Sequence, residues 1–372
     1  MRVLIVGGGV LGTMHAWQAV ERGHEVVQLE REPEARGASV RNFGLVWVGG
    51  RAAGAELDAA LRARELWERI GERAPSLGFR ANGSLTVLWT PLELAVAEEA
   101  VARADAAGRG LKLLDAAEAR AVNPAVRGDL LGALWCTLDA AVEPRTAQPA
   151  LRAFLEATGR YTWLPGREAR SAGSGRVVDD QGVEHRGDVV VLCTGASLGG
   201  LVRELTGDVP VRRVRLQMMQ TEPLDEPLTT SVADGDSLRY YPAYRGAALD
   251  ALNREQPQLA VAREHAMQLL VVQRLDGGLT IGDTHGYDEP FPFDTADAPY
   301  EHLARVAERI LGRPLPRVAR RWAGVYAQCR DTTRVVHRSQ VEPGVWLVTG
   351  PGGRGMTCSP AIASDTADEV GL

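Results

Sequence analysis

Two glycine-rich turns, at opposite ends of a 372-residue chain, carry the residue types best suited to holding a phosphate-bearing ligand. Near the start, Gly7, Gly9 and Gly12 stand in GxGxxG spacing within VLIVGGGVLGTMH (3–15). Near the end, Gly350, Gly352, Gly353 and Gly355 fall within VTGPGGRGMTCSP (348–360). A glycine loop that opens a helix turns backbone N–H groups and the positive end of the helix dipole toward an anion. In the first turn Gly7 permits the tight bend, and Gly9 allows close backbone approach to a pyrophosphate. Val10 and Leu11 open the helix behind it, and Gly12 lets that helix pack on the strand. Glu30, about 20 residues past the loop, is placed to bind both ribose hydroxyls, with Arg31 beside it. An acid there argues against a 2′-phosphate, so FAD or NAD is expected rather than NADP.

The flanking segments have the periodicity these roles need. Arg2 to Val6 is a short apolar run for a buried parallel strand. TMHAWQAVERG reads as a helix ending at Gly23, and HEVVQLERE as a second strand ending at Glu30. The late turn lies between a predicted strand, GVWLVTG (344–350), and a closing helix, TCSPAIASDTADEVGL. A second loop of N–H groups suits the far end of an extended dinucleotide, where a flavin ring carries carbonyl oxygens. An NAD domain has no use for it, so one FAD held at both ends is the expectation.

Beyond these turns, GASVRNFGLVWVGG (37–50), DVVVLCTGAS (188–197) and GGLTIGDT (277–284) complete a set that resembles the D-amino-acid oxidase and glycine/sarcosine oxidase group of FAD-dependent oxidoreductases. The resemblance spans nearly the whole chain. It implies an α/β fold of mixed α+β character, with a Rossmann-like FAD-binding domain and a second, antiparallel-sheet substrate domain. The FAD domain is expected to be discontinuous, at 1–82, 141–211 and 319–372, with the substrate domain at 83–140 and 212–318. Cofactor contacts are expected from Ser39, Arg41, Asn42 and Gly44, from Glu168 near the adenine, and from Gly195. At the late turn they are expected from Gly352, Gly353, Gly355, Met356 and Thr357. Gly324 stands where covalent relatives place an attachment cysteine, so FAD is expected without a covalent link. Within the group, SVRNFGLVW, RLQMMQTEP and LRYYPAY are most similar to a subfamily proposed to oxidise aminophosphonates.

The resemblance implies hydride loss from the carbon bearing nitrogen, with oxygen or another acceptor re-oxidising the cofactor. The protein's share is then orientation, charge and dryness. Tyr240, Tyr241 and Tyr244 form an aromatic cluster in a chain with only 5% aromatic residues. His285 follows the TIGDT strand, and Trp47 is a candidate to pack beside the ring. Many members carry an arginine for the substrate carboxylate in the segment that aligns with WAGVYAQCRD, and here Tyr326 takes its place. An arginine clamp holds a planar carboxylate in bidentate fashion, whereas hydroxyl donors with a nearby arginine suit a tetrahedral phosphonate. The candidate substrate residues are therefore Tyr326, Tyr241, Tyr244 and His285. Thr280 stands where the sarcosine-oxidase branch has an oxygen-activating lysine, so oxygen is expected to be a mediocre acceptor, with Arg354 or His285 the alternative cation if reoxidation is fast.

Composition narrows the remaining classes. The net charge of −6 gives no field for nucleic acid or an anionic membrane. Lys112 is the only lysine, so arginine carries nearly all the basic charge and no single one marks a site. Cys136, Cys193, Cys329 and Cys358 are far apart and form no CxxC pair, so neither a metal centre nor a disulfide framework is expected. MRVLIV runs directly into a strand and no apolar run approaches the ~20 residues of a membrane span, so a cytoplasmic protein is expected. No signal for an oligomeric state stands out. The leading reading is FAD-dependent oxidation of a small amine, most closely a 2-aminoethylphosphonate derivative. A glycine, sarcosine or D-amino-acid type oxidase, a non-catalytic flavin-binding protein and an NAD-dependent dehydrogenase are its competitors.

Overall fold

The computed structural model describes residues 1–372. A six-stranded sheet is assembled from three distant parts of the chain. Its strands lie in the order His337–Glu342, Val345–Thr349, Val189–Leu192, Arg2–Val6, Glu25–Glu30 and Tyr161–Pro165. Neighbours are parallel except for the antiparallel first pair. The period of two sorts side chains between two covered faces. Val3 and Ile5 pack with the helices Val10–Glu21, Ala55–Arg73, Ala147–Ala157 and Gly355–Val370. Leu4 and Val6 face Ala169 and Val177 of a three-stranded antiparallel sheet. Burial on both faces explains why Val3 to Val6 is apolar at every position.

The second sheet has eight strands, in the order Val318–Cys329, Val211–Pro223, Gly278–Gly282, Leu270–Gln273, Ser231–Ala233, Ser84–Leu88, Gly132–Cys136 and Leu111–Asp115. It is antiparallel apart from one parallel pair, Ser231–Ala233 with Ser84–Leu88. One face, with Met219, Val271 and Ile281, packs on the helix Asp297–Leu311 through Leu303 and Ile310. The other carries Leu216, Met218, Leu270 and Tyr326, and turns toward the first sheet.

One expected boundary needs correction. The strand Val318–Cys329 pairs along its length with Val211–Pro223, so the chain rejoins the first sheet at His337 rather than near 319. The stretch from 212 to 316 holds four helices, adding the short Asp236–Tyr240, Ala247–Glu255 and Ala260–Glu264 to Asp297–Leu311. These additions are short, and helical periodicity does not separate from strand periodicity over so few residues. Burial of Leu238, Leu249, Leu252 and Ala262 holds them in place. No helix is long and apolar enough to cross a membrane.

Candidate active site

The parallel strands of the first sheet end beneath the second, and the segments that leave them wall a cavity of about 1630 Å³. That exceeds the roughly 300–1,000 Å³ typical of a small-molecule site. Gly7 to Leu11 (apart from Gly8), Glu30 and Arg31, Thr194 and Gly195, and Gly352 to Met356 all contribute from the carboxyl ends of strands. Open α/β sheets bind ligands at this edge.

The first turn has the anatomy of an anion cradle. The Gly7 amide returns to the Leu29 carbonyl, the Gly8 amide goes to Glu30, and the Val10 amide goes to the Ser39 hydroxyl at 2.8 Å. Gly9 and Leu11 keep amides that bond to no acceptor in the chain, and both residues line the cavity. A Cβ on Gly12 would collide with the Gly7 carbonyl, so Gly12 shapes the loop from behind without lining it. At the opposite wall, Gly352–Arg354 forms a 3-10 turn that opens the helix Gly355–Val370. The two turns flank one cavity, long enough for a ligand that reaches both.

A family model described as FAD dependent oxidoreductase (DAO) matches residues 2–369. The chain belongs to this family of FAD-dependent oxidoreductases. FAD is its cofactor, and the cradle and second turn fit a dinucleotide held at both ends. A D-amino-acid oxidase of Streptomyces coelicolor is 29% identical over 73% of this chain and 76% of its own. A glycine oxidase of Pseudomonas aeruginosa is 28% identical over 99% of this chain and 94% of its own. Among solved structures, glycine oxidase from Geobacillus kaustophilus superposes with a TM-score of 0.77 at 20% identity, covering 100% of this chain and 95% of its own. Iminodiacetate oxidase from Chelativorans sp. gives 0.76 at 17%, covering 99% and 95%. These two likenesses concern the fold.

The other end of the cavity of this FAD-dependent oxidoreductase is aromatic. Arg212 lies over the ring of Tyr287, 4.3 Å from its centroid, with its Nε and Nη2 held by Gln328. His285 stacks near Tyr287 at 6.4 Å and on Tyr240 at 4.4 Å. Tyr240 meets Tyr241 edge to face at 5.1 Å, and Tyr241 stacks on Trp47 at 5.2 Å. An unbroken row of rings thus runs from the Arg212 guanidinium to Trp47. Tyr326 lines the same end, and its buried hydroxyl has no hydrogen-bond partner. Burial pushes the phenols of Tyr240, Tyr241, Tyr287 and Tyr326 upward, so all four are neutral donors at neutral pH.

Several expected residues line the cavity but already have partners. Arg41 donates to the Ala323 carbonyl at 2.9 Å. Asn42 donates to the carbonyls of Ala38 and Ser39 and accepts the Gly44 amide, so its side chain builds the turn. The Glu168 amide goes to Asp180 at 3.1 Å, while Gly195, at a φ of +59°, turns the chain along the wall. Gly353 is exposed on the late turn, and Met356 lines the wall behind it.

Others stand outside the wall. Tyr244 is buried in the apolar layer with Leu134 and Leu252, so it supports the site rather than lining it. Gly44, at a φ of +70°, backs onto the Val142 carbonyl, where a Cβ would collide. The Thr357 hydroxyl is committed to the Trp47 amide, the Leu45 carbonyl and Arg51. Thr280 is buried in the sheet away from the cavity. Arg354 is buried, and four of its five N–H donors go to Glu56 and the carbonyls of Pro351, Thr332 and Arg334, so most of its hydrogen-bonding capacity serves the fold.

Sequence reading did not single out Arg212, Gln268, Asp283 or Tyr287. The polar run GDTHGY directly after an apolar strand was the available signal for Asp283 and Tyr287. Arg212 is one arginine among many, and nothing local distinguishes it.

Proposed function

We propose that this chain oxidises the C–N bond of a small amine to an imine, which water then converts to a carbonyl compound, and that aminophosphonates of the 2-aminoethylphosphonate type are its preferred substrates. The observation that carries the reading is the Tyr326 hydroxyl. It is buried, lacks a partner and lies among neutral phenols on the strand Val318–Cys329, where the resemblance implies a carboxylate-binding arginine in many members. A buried donor left unpaired costs about 1–3 kcal/mol, so a bound acceptor is what completes the site. Arg212, with Nη1 not engaged by Gln328, supplies positive charge along the same wall.

Bound FAD supplies the two-electron acceptor for the carbon–hydrogen bond next to nitrogen. In this reading the amides of Gly9 and Leu11 hold its pyrophosphate, Glu30 its ribose and the late glycine turn its ring, without a covalent bond. The sheet face with Leu216, Met218 and Leu270 keeps water from the reacting carbon. Oxygen or another acceptor takes the electrons onward. The D-amino-acid and glycine oxidase relatives favour a second reading, an amino-acid oxidase whose substrate carboxylate sits on Arg212. Comparing kcat/KM for 2-aminoethylphosphonate and its N-methyl derivative with glycine, sarcosine and D-alanine separates them. A phosphonate preference of about tenfold or more, worth about 1.4 kcal/mol, is expected. Preference for the amino acids overturns the aminophosphonate assignment.

A further inference from the structure

Asp283 leaves the strand Gly278–Gly282 directly into the cavity wall, where it is only 5% exposed. Its Oδ1 has no hydrogen-bond partner, and its Oδ2 lies 3.8 Å from His285 Nε2. His285 Nδ1 is 2.9 Å from the Ala266 carbonyl, which only accepts, so Nδ1 carries the ring proton. When the ring is neutral, Nε2 is then an acceptor facing a carboxylate. Gln268 is joined to Asp283 through backbone hydrogen bonds in both directions and gives its Nε2 to the Tyr241 hydroxyl at 3.4 Å. Its Oε1 is also buried without a partner. Two buried acceptors of the cavity wall, Asp283 Oδ1 and Gln268 Oε1, therefore stand side by side without a partner of their own.

Unpaired buried acceptors around a carboxylate call for a cation with several N–H donors. We propose that Asp283, Gln268 and His285 are the receptor for the substrate's ammonium group, and that the Asp283–His285 pair takes up one of its protons. The inference rests on the reading of the chain as an amine oxidoreductase, and it names the amine end of that site. In the proton step one N–H bond breaks, its electron pair stays on nitrogen as the lone pair, and the pair goes from one negative charge to none. No electron is transferred in this step, and the amine is left neutral, as loss of hydride from its carbon requires.

Burial raises the Asp283 carboxyl and the protonated form of His285 opposes that rise, which suits a pair that gains and loses a proton during turnover. The titratable groups around it are Tyr240 and Tyr241 from the 236–244 segment, Tyr326 from its strand, and Tyr287 beyond His285. All four phenols stay protonated. The nearby cations are Arg51, beside Tyr241, and Arg212, beside Tyr287. The Tyr287 ring therefore lies between His285 of the pair and the Arg212 guanidinium, matching a substrate with its amine at one end and an anion at the other.

The test is equilibrium binding to anaerobic holoenzyme of two matched pairs, 2-aminoethylphosphonate with 2-hydroxyethylphosphonate, and glycine with glycolate. Wild type should prefer the amine of at least one pair by tenfold or more. Asp283→Asn should erase that preference while changing the affinity of the hydroxyl compound by less than twofold. The pH profile of kcat/KM should also lose its acidic limb. Equal loss of both members, or a preference that survives the substitution, overturns the receptor. If Asp283→Asn does not fold, wild-type indifference between amine and hydroxyl overturns it alone. Should glycine show the Asp283-dependent preference and the phosphonates fail to bind, the aminophosphonate assignment falls and the receptor stands. If neither amine binds, both fall.

Discussion

The Glu30 carboxylate accepts the Gly8 amide at 2.6 Å and the Glu32 amide at 3.0 Å, tying the end of the second strand to the glycine loop. One side chain therefore holds the loop in shape and presents a carboxylate to the cavity. Glu30→Ala should weaken FAD binding to the apoprotein by tenfold or more, since charge-assisted hydrogen bonds are worth about 1.5–3 kcal/mol each. Titration of apoprotein with FAD measures this. Unchanged affinity would remove Glu30 from the cofactor site.

Tyr326 offers a sharper separation of stability from function. Its hydroxyl is buried without a partner, so Tyr326→Phe should leave the protein as stable as wild type, or up to about 1 kcal/mol more stable. The same change should lower kcat/KM about tenfold, mainly through KM, because the lost donor serves the substrate anion. Thermal melting and steady-state kinetics on one preparation check both. A destabilised variant with normal KM would show that the hydroxyl serves the fold instead.

His15 predicts a pH effect remote from the chemistry. It is buried on the first helix, its Nδ1 donates to the Leu11 carbonyl at 2.7 Å, and burial pushes its pKa down from 6.5 to about 4. The folded state therefore holds His15 neutral where the unfolded chain already binds a proton. The stabilisation is complete above pH 6.5 and declines as pH falls toward 4, by an amount on the order of 3 kcal/mol. His15→Gln should flatten this part of the profile of melting temperature against pH. An unchanged slope between pH 7 and 5 would place its origin elsewhere.

Legibility followed the length and regularity of the local signal. The strands Arg2–Val6 and Glu25–Glu30 coincide with the apolar runs on either side of the first glycine turn and its helix, because a buried parallel strand is apolar almost throughout. The cradle was equally legible, since Gly7 and Gly12 answer to steric demands that no other residue meets. The substrate end was not. Tyr241 and Tyr244 are three residues apart, yet one lines the cavity and the other packs beneath it, and only the tertiary fold decides which. Asp283 and Gln268 meet through pairing of separate strands, and Arg212 reaches the row of rings from a third.

The central claim is that this FAD-dependent oxidoreductase takes electrons from the C–N carbon of a small amine. Anaerobic addition of single compounds to the yellow holoprotein, with flavin absorbance followed in time, tests it most directly. 2-Aminoethylphosphonate or its N-methyl derivative should bleach the flavin, faster than glycine, sarcosine or D-alanine, while 2-hydroxyethylphosphonate leaves it oxidised. A flavin that stays oxidised with every amine, or that the hydroxyl analogue reduces equally well, would contradict the account.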